Sequence, residues 1–148
     1  MQLNQFLELF NPLPGNHYLQ IATQEDEITS AMSALMQKVG GEFKVVLYNE
    51  EHLAFDKPFR AIPRDNDIVL IKDVYHKHQN KDMMLKLTYL TLANTANVII
   101  MEKKGLLDIE ATKATLEAFE FRAPNEIEIV EGYDLVMAKK MHMWGNGL

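Results

Sequence analysis

The chain has 148 residues, the commonest size for one domain, long enough to bury roughly two-thirds of its unfolded surface. Apolar residues make up 47% and charged residues 24%, which excludes a disordered chain, and the absence of cysteine excludes disulfides, thiolate metal sites and a cysteine nucleophile. Fifteen basic against twenty-one acidic residues leave a net charge of −6, so the chain has no general field that attracts nucleic acid.

The N-terminal stretch 1–10 predicts a short amphipathic helix, because Leu3, Phe6, Leu7 and Phe10 fall at helical spacing. Asn11-Pro12-Leu13-Pro14-Gly15 stops it. No apolar run reaches the roughly 20 residues of a membrane span. The start also lacks a basic flank and a small-residue cleavage site, so no membrane association and a cytoplasmic location are expected. His17 to Thr23 reads as a strand. Ile28, Met32, Leu35, Met36 and Val39 then mark a helix, capped by Thr23 or Asp26 and closed by Gly40-Gly41.

Phe43 to Tyr48 reads as a second strand. The stretch Asn49 to Asn66 shows no clean period. Ile68 to Ile71 is a continuous apolar run, which suits a central strand covered on both faces. A helix is predicted over Asp82 to Ala93, a buried strand over Val98 to Met101, and a further helix on Ile109, Leu116 and Phe119. Glu126 to Glu131 alternates, and Tyr133 to Met137 follows Gly132, so a closing antiparallel hairpin is expected over 126–140. Strands alternating with helices and no internal linker predict one domain over 1–148: a doubly wound α/β sheet, mostly parallel, with an antiparallel C-terminal hairpin.

That order, and three local segments, resemble the class I S-adenosylmethionine-dependent methyltransferases, a Rossmann-like family whose last strand is inserted antiparallel. Ile62-Pro63-Arg64-Asp65-Asn66-Asp67-Ile68-Val69-Leu70-Ile71-Lys72-Asp73-Val74-Tyr75-His76 resembles the family's fourth-strand segment. Asn97-Val98-Ile99-Ile100-Met101-Glu102-Lys103 resembles the fifth strand, and Gly132-Tyr133-Asp134-Leu135-Val136-Met137-Ala138-Lys139-Lys140 resembles the last. The resemblance implies S-adenosylmethionine as cofactor. It puts Gln20, Ala22, Asn49 and Glu50 on the cofactor side, and Asp73, Tyr75 and His76 on the acceptor side as catalytic candidates.

The sequence departs from the family at three points. The first strand runs into Leu19-Gln20-Ile21-Ala22-Thr23-Gln24-Glu25-Asp26-Glu27, where the family has a glycine-rich loop; no glycine stands between Gly15 and Gly40. Glu25, Asp26 and Glu27 crowd a helix start that would otherwise attract an anion. Each like-charge contact with the cofactor's carboxylate costs on the order of 1 kcal/mol near a surface. At the end of the second strand, Asn49 stands where the family places an acidic residue, followed by Glu50 and Glu51. Between Leu47 and Ile68 there is room for one short strand, such as Phe59 to Ile62, but not for two crossover helices. The third strand and its helices are therefore expected to be reduced or missing. This exposes the second strand to pairing with another copy, unless the Glu51–Pro58 loop covers it.

Other candidate residues carry a plainer alternative. His76 and His78 could supply a base or two metal ligands, joined by Asp73 or His142, or could be polar residues of an exposed turn; no metal is expected. Asp73 either serves the site or pairs with Lys72 or Lys77. The methionines suit core packing, and Trp144 suits a core margin or a partner contact. No G-x-S-x-G, Walker or G-x-G-x-x-G motif is present. Two functions stand: methyl transfer with cofactor binding weak or lost, or a non-catalytic interaction or assembly module, a homodimer among the possibilities, on the same scaffold.

Overall fold

Six strands form one sheet. β1 (His17–Ala22), β2 (Glu42–Leu47), β3 (Asn66–Lys72), β4 (Leu92–Lys103), β5 (Phe121–Ile127) and β6 (Tyr133–Lys140) lie in the order β2-β1-β3-β4-β6-β5. These come from a computed structural model that describes residues 3–54 and 61–141. β1 to β4 are mutually parallel, and β6 runs antiparallel to both β4 and β5. The doubly wound sheet with its antiparallel C-terminal hairpin is the architecture expected from the strand–helix alternation.

Alternation within the strands builds two cores. Leu19, Ile21, Val69, Ile71, Val98 and Ile100 face one side, under Met84 and Leu85 of α3 (Lys81–Thr91) and Leu116 of α4 (Ile109–Ala118). Tyr18, Ile68, Leu70, Ile99 and Met101 face the other. There they meet Ile28, Met32 and Met36 of α2 (Glu27–Val39), with Phe6 of α1 (Asn4–Leu7) and Phe10 just beyond it. Both faces of β3 are thus covered, which is why its sequence is apolar without alternation. The methionines Met32, Met36, Met84 and Met101 are fully or nearly fully buried, as the core-packing alternative held for them, whereas Met141 is exposed.

Asp26 caps α2: its side chain accepts from the Ile28 and Thr29 amides, and Thr29 Oγ1 accepts from the Asp26 amide. Gly40 closes the helix at φ 78°, a left-handed conformation that favours glycine.

Two boundaries differ from the sequence expectation. β5 begins at Phe121, earlier than expected, and ends at Ile127. The alternation of 128–131 belongs to the turn, where Val130 is buried in the α2-side core and its carbonyl accepts from the Tyr133 amide. Apolar residues there tuck onto the core instead of pairing, so the hairpin loop is longer than a single glycine. β4 starts directly after α3, at Leu92, with a register shift between its pairs at Leu92 and Asn97. Thr95 in that stretch has φ 71°.

Between β2 and β3 the described residues hold a 3-10 turn (His52–Ala54) and no strand or α-helix. The described residues there thus hold no counterpart of the family's third strand and its helices, which the short spacing led one to expect reduced or missing. Phe59, Arg60 and the second half of the Glu51–Pro58 loop, 55–58, lie outside the described residues. Among the described residues no strand pairs with the outer edge of β2, and Leu47 at its end is 47% exposed. No helix among the described residues is long and apolar enough to cross a membrane.

Candidate functional site at the carboxyl edge of the sheet

The chain leaves β1 toward β2 across one face and leaves β3 toward β4 across the other. Strand order therefore reverses between β1 and β3. The crevice outside their carboxyl ends is where doubly wound sheets bind ligands.

Lys72, the last residue of β3, spans that crevice. Its side chain is 3% exposed and its Nζ lies 2.7 Å from Asp26 Oδ2 and 2.6 Å from Asp73 Oδ2. It also donates to Tyr133 Oη at 3.3 Å and sits 4.8 Å from that ring's centroid. Burial works to lower the lysine's pKa, but the hydrogen bonds and charges of Asp26 and Asp73 outweigh it, and the ammonium is held above its ordinary range. Burial likewise works to raise Asp26, yet Lys72 and the α2 amides bring its carboxyl below the usual range. Asp73 takes a left-handed φ of 60° and donates its amide to the Met101 carbonyl at 3.0 Å. Four segments are tied through one ammonium: the start of α2, the end of β3, the loop beyond it and the start of β6.

A second polar pair lies beside the first. His76 is on a 3-10 turn (Tyr75–Lys77). Its Nδ1 is 2.6 Å from Glu102 Oε1, and its amide donates to Glu102 Oε2 at 3.1 Å. Glu102 is wholly buried near the end of β4. Burial pushes its carboxyl up, opposed by His76 and reinforced by the charge of Asp73.

Asp73 and His76 therefore lie at one edge, and Asp73 makes the plainer pairing with Lys72. Tyr75 is buried in the α3-side core, its phenol pushed up to about 12 by burial first and by Asp82 second. Of the expected cofactor-side residues, Ala22 ends β1 beside the end of β2 that leads to Asn49 and Glu50, while Gln20 lies further back in the strand. Gln20 is fully buried in the middle of β1, paired with Val45 and Leu70, and neither atom of its amide has a hydrogen-bond partner among the described residues. Ala22 ends β1, and its carbonyl accepts from the Tyr48 amide. Asn49 is exposed and reciprocally bonded to His52, its Oδ1 accepting from the His52 amide; Glu50 is exposed.

His78 packs its ring against Tyr48, 5.9 Å between centroids. It is 1% exposed, its Nδ1 accepts from the Asn80 amide, and burial followed by the charge of Lys81 lowers its pKa. No group of three metal-ligating side chains occurs among the described residues. His142 and Trp144 lie outside them.

Sequence reasoning missed Glu102. Its signal was a lone carboxylate at the carboxyl end of the apolar run Val98 to Met101, where solvent exposure would be the default.

No family model matches the sequence, and no curated protein sequence does. Solved structures do. An S-adenosylmethionine-dependent methyltransferase from Aquifex aeolicus aligns over 93% of this chain and 88% of its own, with TM-score 0.72 at 13% identity. One from Archaeoglobus fulgidus aligns over 93% and 91%, with TM-score 0.68 at 15% identity. Phosphoethanolamine N-methyltransferase 2 of Haemonchus contortus, in complex with S-adenosyl-L-methionine, aligns over 93% of this chain and 52% of its own, with TM-score 0.69 at 10% identity. This chain thus spans about half the length of the Haemonchus protein. Sheet order, antiparallel hairpin and these alignments agree: the chain has the fold of the class I S-adenosylmethionine-dependent methyltransferases.

Proposed function

We propose that this chain is a methyltransferase-fold protein in which S-adenosylmethionine binding is weak or lost. The observation that carries the reading is the Lys72 ammonium bridging Asp26 and Asp73 across the crevice. The cofactor brings a sulfonium, an α-amino group and a carboxylate. The two aspartates that would face its cations are already paired with the Lys72 ammonium. The first-turn amides of α2 that would face its carboxylate are already taken by the Asp26 cap. No glycine in 23–26 lets the backbone approach. At the end of β2, the Asn49 side chain is engaged with His52. The residues at this edge do not fit the cofactor.

Calorimetric titration of S-adenosylmethionine, and of its demethylated product, into the full chain tests the reading. The expected result is no saturable heat at millimolar ligand. Saturable binding in the micromolar range sinks it.

A second reading, self-association as an interaction module, is favoured by the outer edge of β2, left unpaired among the described residues with Leu47 exposed at its end. Light scattering on a size-exclusion column is then expected to give twice the chain mass at high protein concentration. A chain mass that stays single across the accessible concentration range removes this reading.

A further inference from the structure

We infer that β2 pairs antiparallel with β2 of a second copy of this chain, about a two-fold axis at Val45, so that the two sheets join into one. The pairing rests on the self-association reading and gives it a register and a closed form.

The two edges of the sheet are built differently. β5, at one edge, carries Pro124, which has no amide to donate, and Ala123 at a left-handed φ of 52°, inside a register shift between Arg122 and Asn125. Proline and a bulge blunt a free edge against pairing. β2, at the other edge, reads Glu42-Phe43-Lys44-Val45-Val46-Leu47, with no proline, no glycine and no residue of positive φ. Such an edge invites a partner strand. Where the chain is described beyond β2 it lies over the α3-side core. Leu53 is buried there and its carbonyl accepts from the Gln79 amide at 2.8 Å, and Ala61 packs on the same core.

Hydrogen-bond parity decides which residues of β2 face outward. The Glu42 amide donates to the Asn16 carbonyl at 2.8 Å, and the Tyr48 amide to the Ala22 carbonyl at 2.8 Å. In a parallel pair alternate residues bond the same neighbour, so Glu42, Lys44, Val46 and Tyr48 turn their backbone to β1. Phe43, Val45 and Leu47 turn theirs outward. The next positions of that parity are spent: the Gly41 amide donates to the Met36 carbonyl at 2.9 Å, and the Asn49 amide to His52 Nδ1 at 3.0 Å. The outward ladder therefore runs from Phe43 to Leu47 and is symmetric about Val45.

One antiparallel register uses all of it, with Val45 opposite the partner's Val45. Phe43, Val45 and Leu47 each then give one backbone hydrogen bond to the partner copy and take one. Leu47, 47% exposed, comes to lie opposite the partner's Phe43, on the face where Phe43 packs against the α2-side core. On the other face Lys44 stands opposite the partner's Val46. A register centred on Lys44 sets two lysines against each other. Registers centred on Phe43, Val46 or Leu47 call on the spent amides of Gly41 or Asn49. A two-fold contact closes on itself, so the assembly stops at a pair.

The sequence holds no cysteine, so introduced thiols report single contacts. Val45→Cys is expected to form a disulfide-linked pair on mild oxidation. Phe43→Cys is expected to link to Leu47→Cys when the two full-length variants are mixed. Phe43→Cys alone and Leu47→Cys alone are expected to stay unlinked, because each lies roughly 13 Å along the strand from its own counterpart, beyond the reach of a disulfide. Val45→Pro removes only an outward amide. Circular dichroism is expected to stay unchanged while the concentration for half-association in light scattering rises about tenfold or more, from the loss of the two central hydrogen bonds. Leu47→Lys, at an exposed position, is expected to shift association in the same direction. A dimer that links through Phe43→Cys alone or Leu47→Cys alone, or whose association is unchanged in both Val45→Pro and Leu47→Lys, overturns this pairing and leaves self-association standing. A single chain mass at every accessible concentration overturns both.

Discussion

Replacing Lys72 by methionine is expected to lower the unfolding free energy by about 3 kcal/mol, the range for breaking a buried ion pair by removing one partner. The chain of effects starts with position. Lys72 ends a strand whose preceding residues, Ile68 to Ile71, are all core, so its stem is carried into the interior before the ammonium meets Asp26 and Asp73. Methionine fills the stem's volume but leaves two carboxylates facing each other, each about three-quarters buried, with Asp26 still committed to the α2 amides. Urea denaturation at neutral pH measures the loss. A change under half a kcal/mol would mean that the ammonium is hydrated in solution and does not tie the edge together.

The pH dependence of that difference has a definite sign. Asp26 is lowered in the folded chain, so its contribution is present above its unfolded pKa of about 3.9 and is lost as pH falls through the folded value. Lys72 is raised, so its contribution is fully present below about 10.4 and is lost only as pH rises through the folded value. The gap between the unaltered chain and Lys72→Met is therefore widest across the neutral range and closes toward acid.

Glu102→Gln is expected to act in the opposite direction. Removing one partner of a buried pair is usually costly, but here the remaining partner is the part-exposed His76, 27% open to water, which can be solvated. The group deleted is the one that bears the burial cost. Glu102 is raised in the folded chain, so the stability it contributes is fully present below its unfolded pKa of about 4.3 and is lost as pH rises through the folded value. Glutamine has no such loss. Thermal unfolding at neutral pH should show Glu102→Gln equal to the unaltered chain or more stable by about 1–2 kcal/mol, with the advantage vanishing at acid pH. A large destabilisation at neutral pH would make the carboxylate a structural requirement and remove its cost from the account.

The periodic segments made most of the fold legible. Ile28, Met32 and Met36 predicted α2 because only a helix puts them on one face; Asp26, one of the two cap candidates with Thr23, and Gly40 mark its ends because amides and αL geometry demand those residue types. The apolar run of β3 predicted a strand covered on both sides, which fixes the doubly wound topology. Where local pattern misled, tertiary packing had the larger say. Ile129 and Val130 continue the alternation of β5 but are drawn onto the α2-side core, so the strand stops before them.

The site was legible only in part. Asp73 and His76 were reached because the carboxyl ends of central strands are where such sheets bind ligands. Their partners were harder. Lys72 and Asp26 are 46 positions apart, and nothing in either neighbourhood says that one ammonium closes the crevice. Glu102 looks like the first polar residue after a strand, and only the fold returns the chain over it. Gln20 shows the converse: its place near the end of the first strand suggested the cofactor side, yet the amide is buried in mid-strand beneath α2. The three solved structures named above share the fold at 15% identity or less, so their likeness of backbone says nothing about these side chains.

A crystal structure of the full chain grown with excess S-adenosylmethionine bears most directly on the idea that a lysine has taken the cofactor's place. The account predicts Lys72 Nζ within hydrogen-bonding distance of both Asp26 and Asp73, with no ligand between the ends of β1 and β3. Cofactor ordered against residues 20–27, with the Lys72 side chain turned away from Asp26, would contradict it.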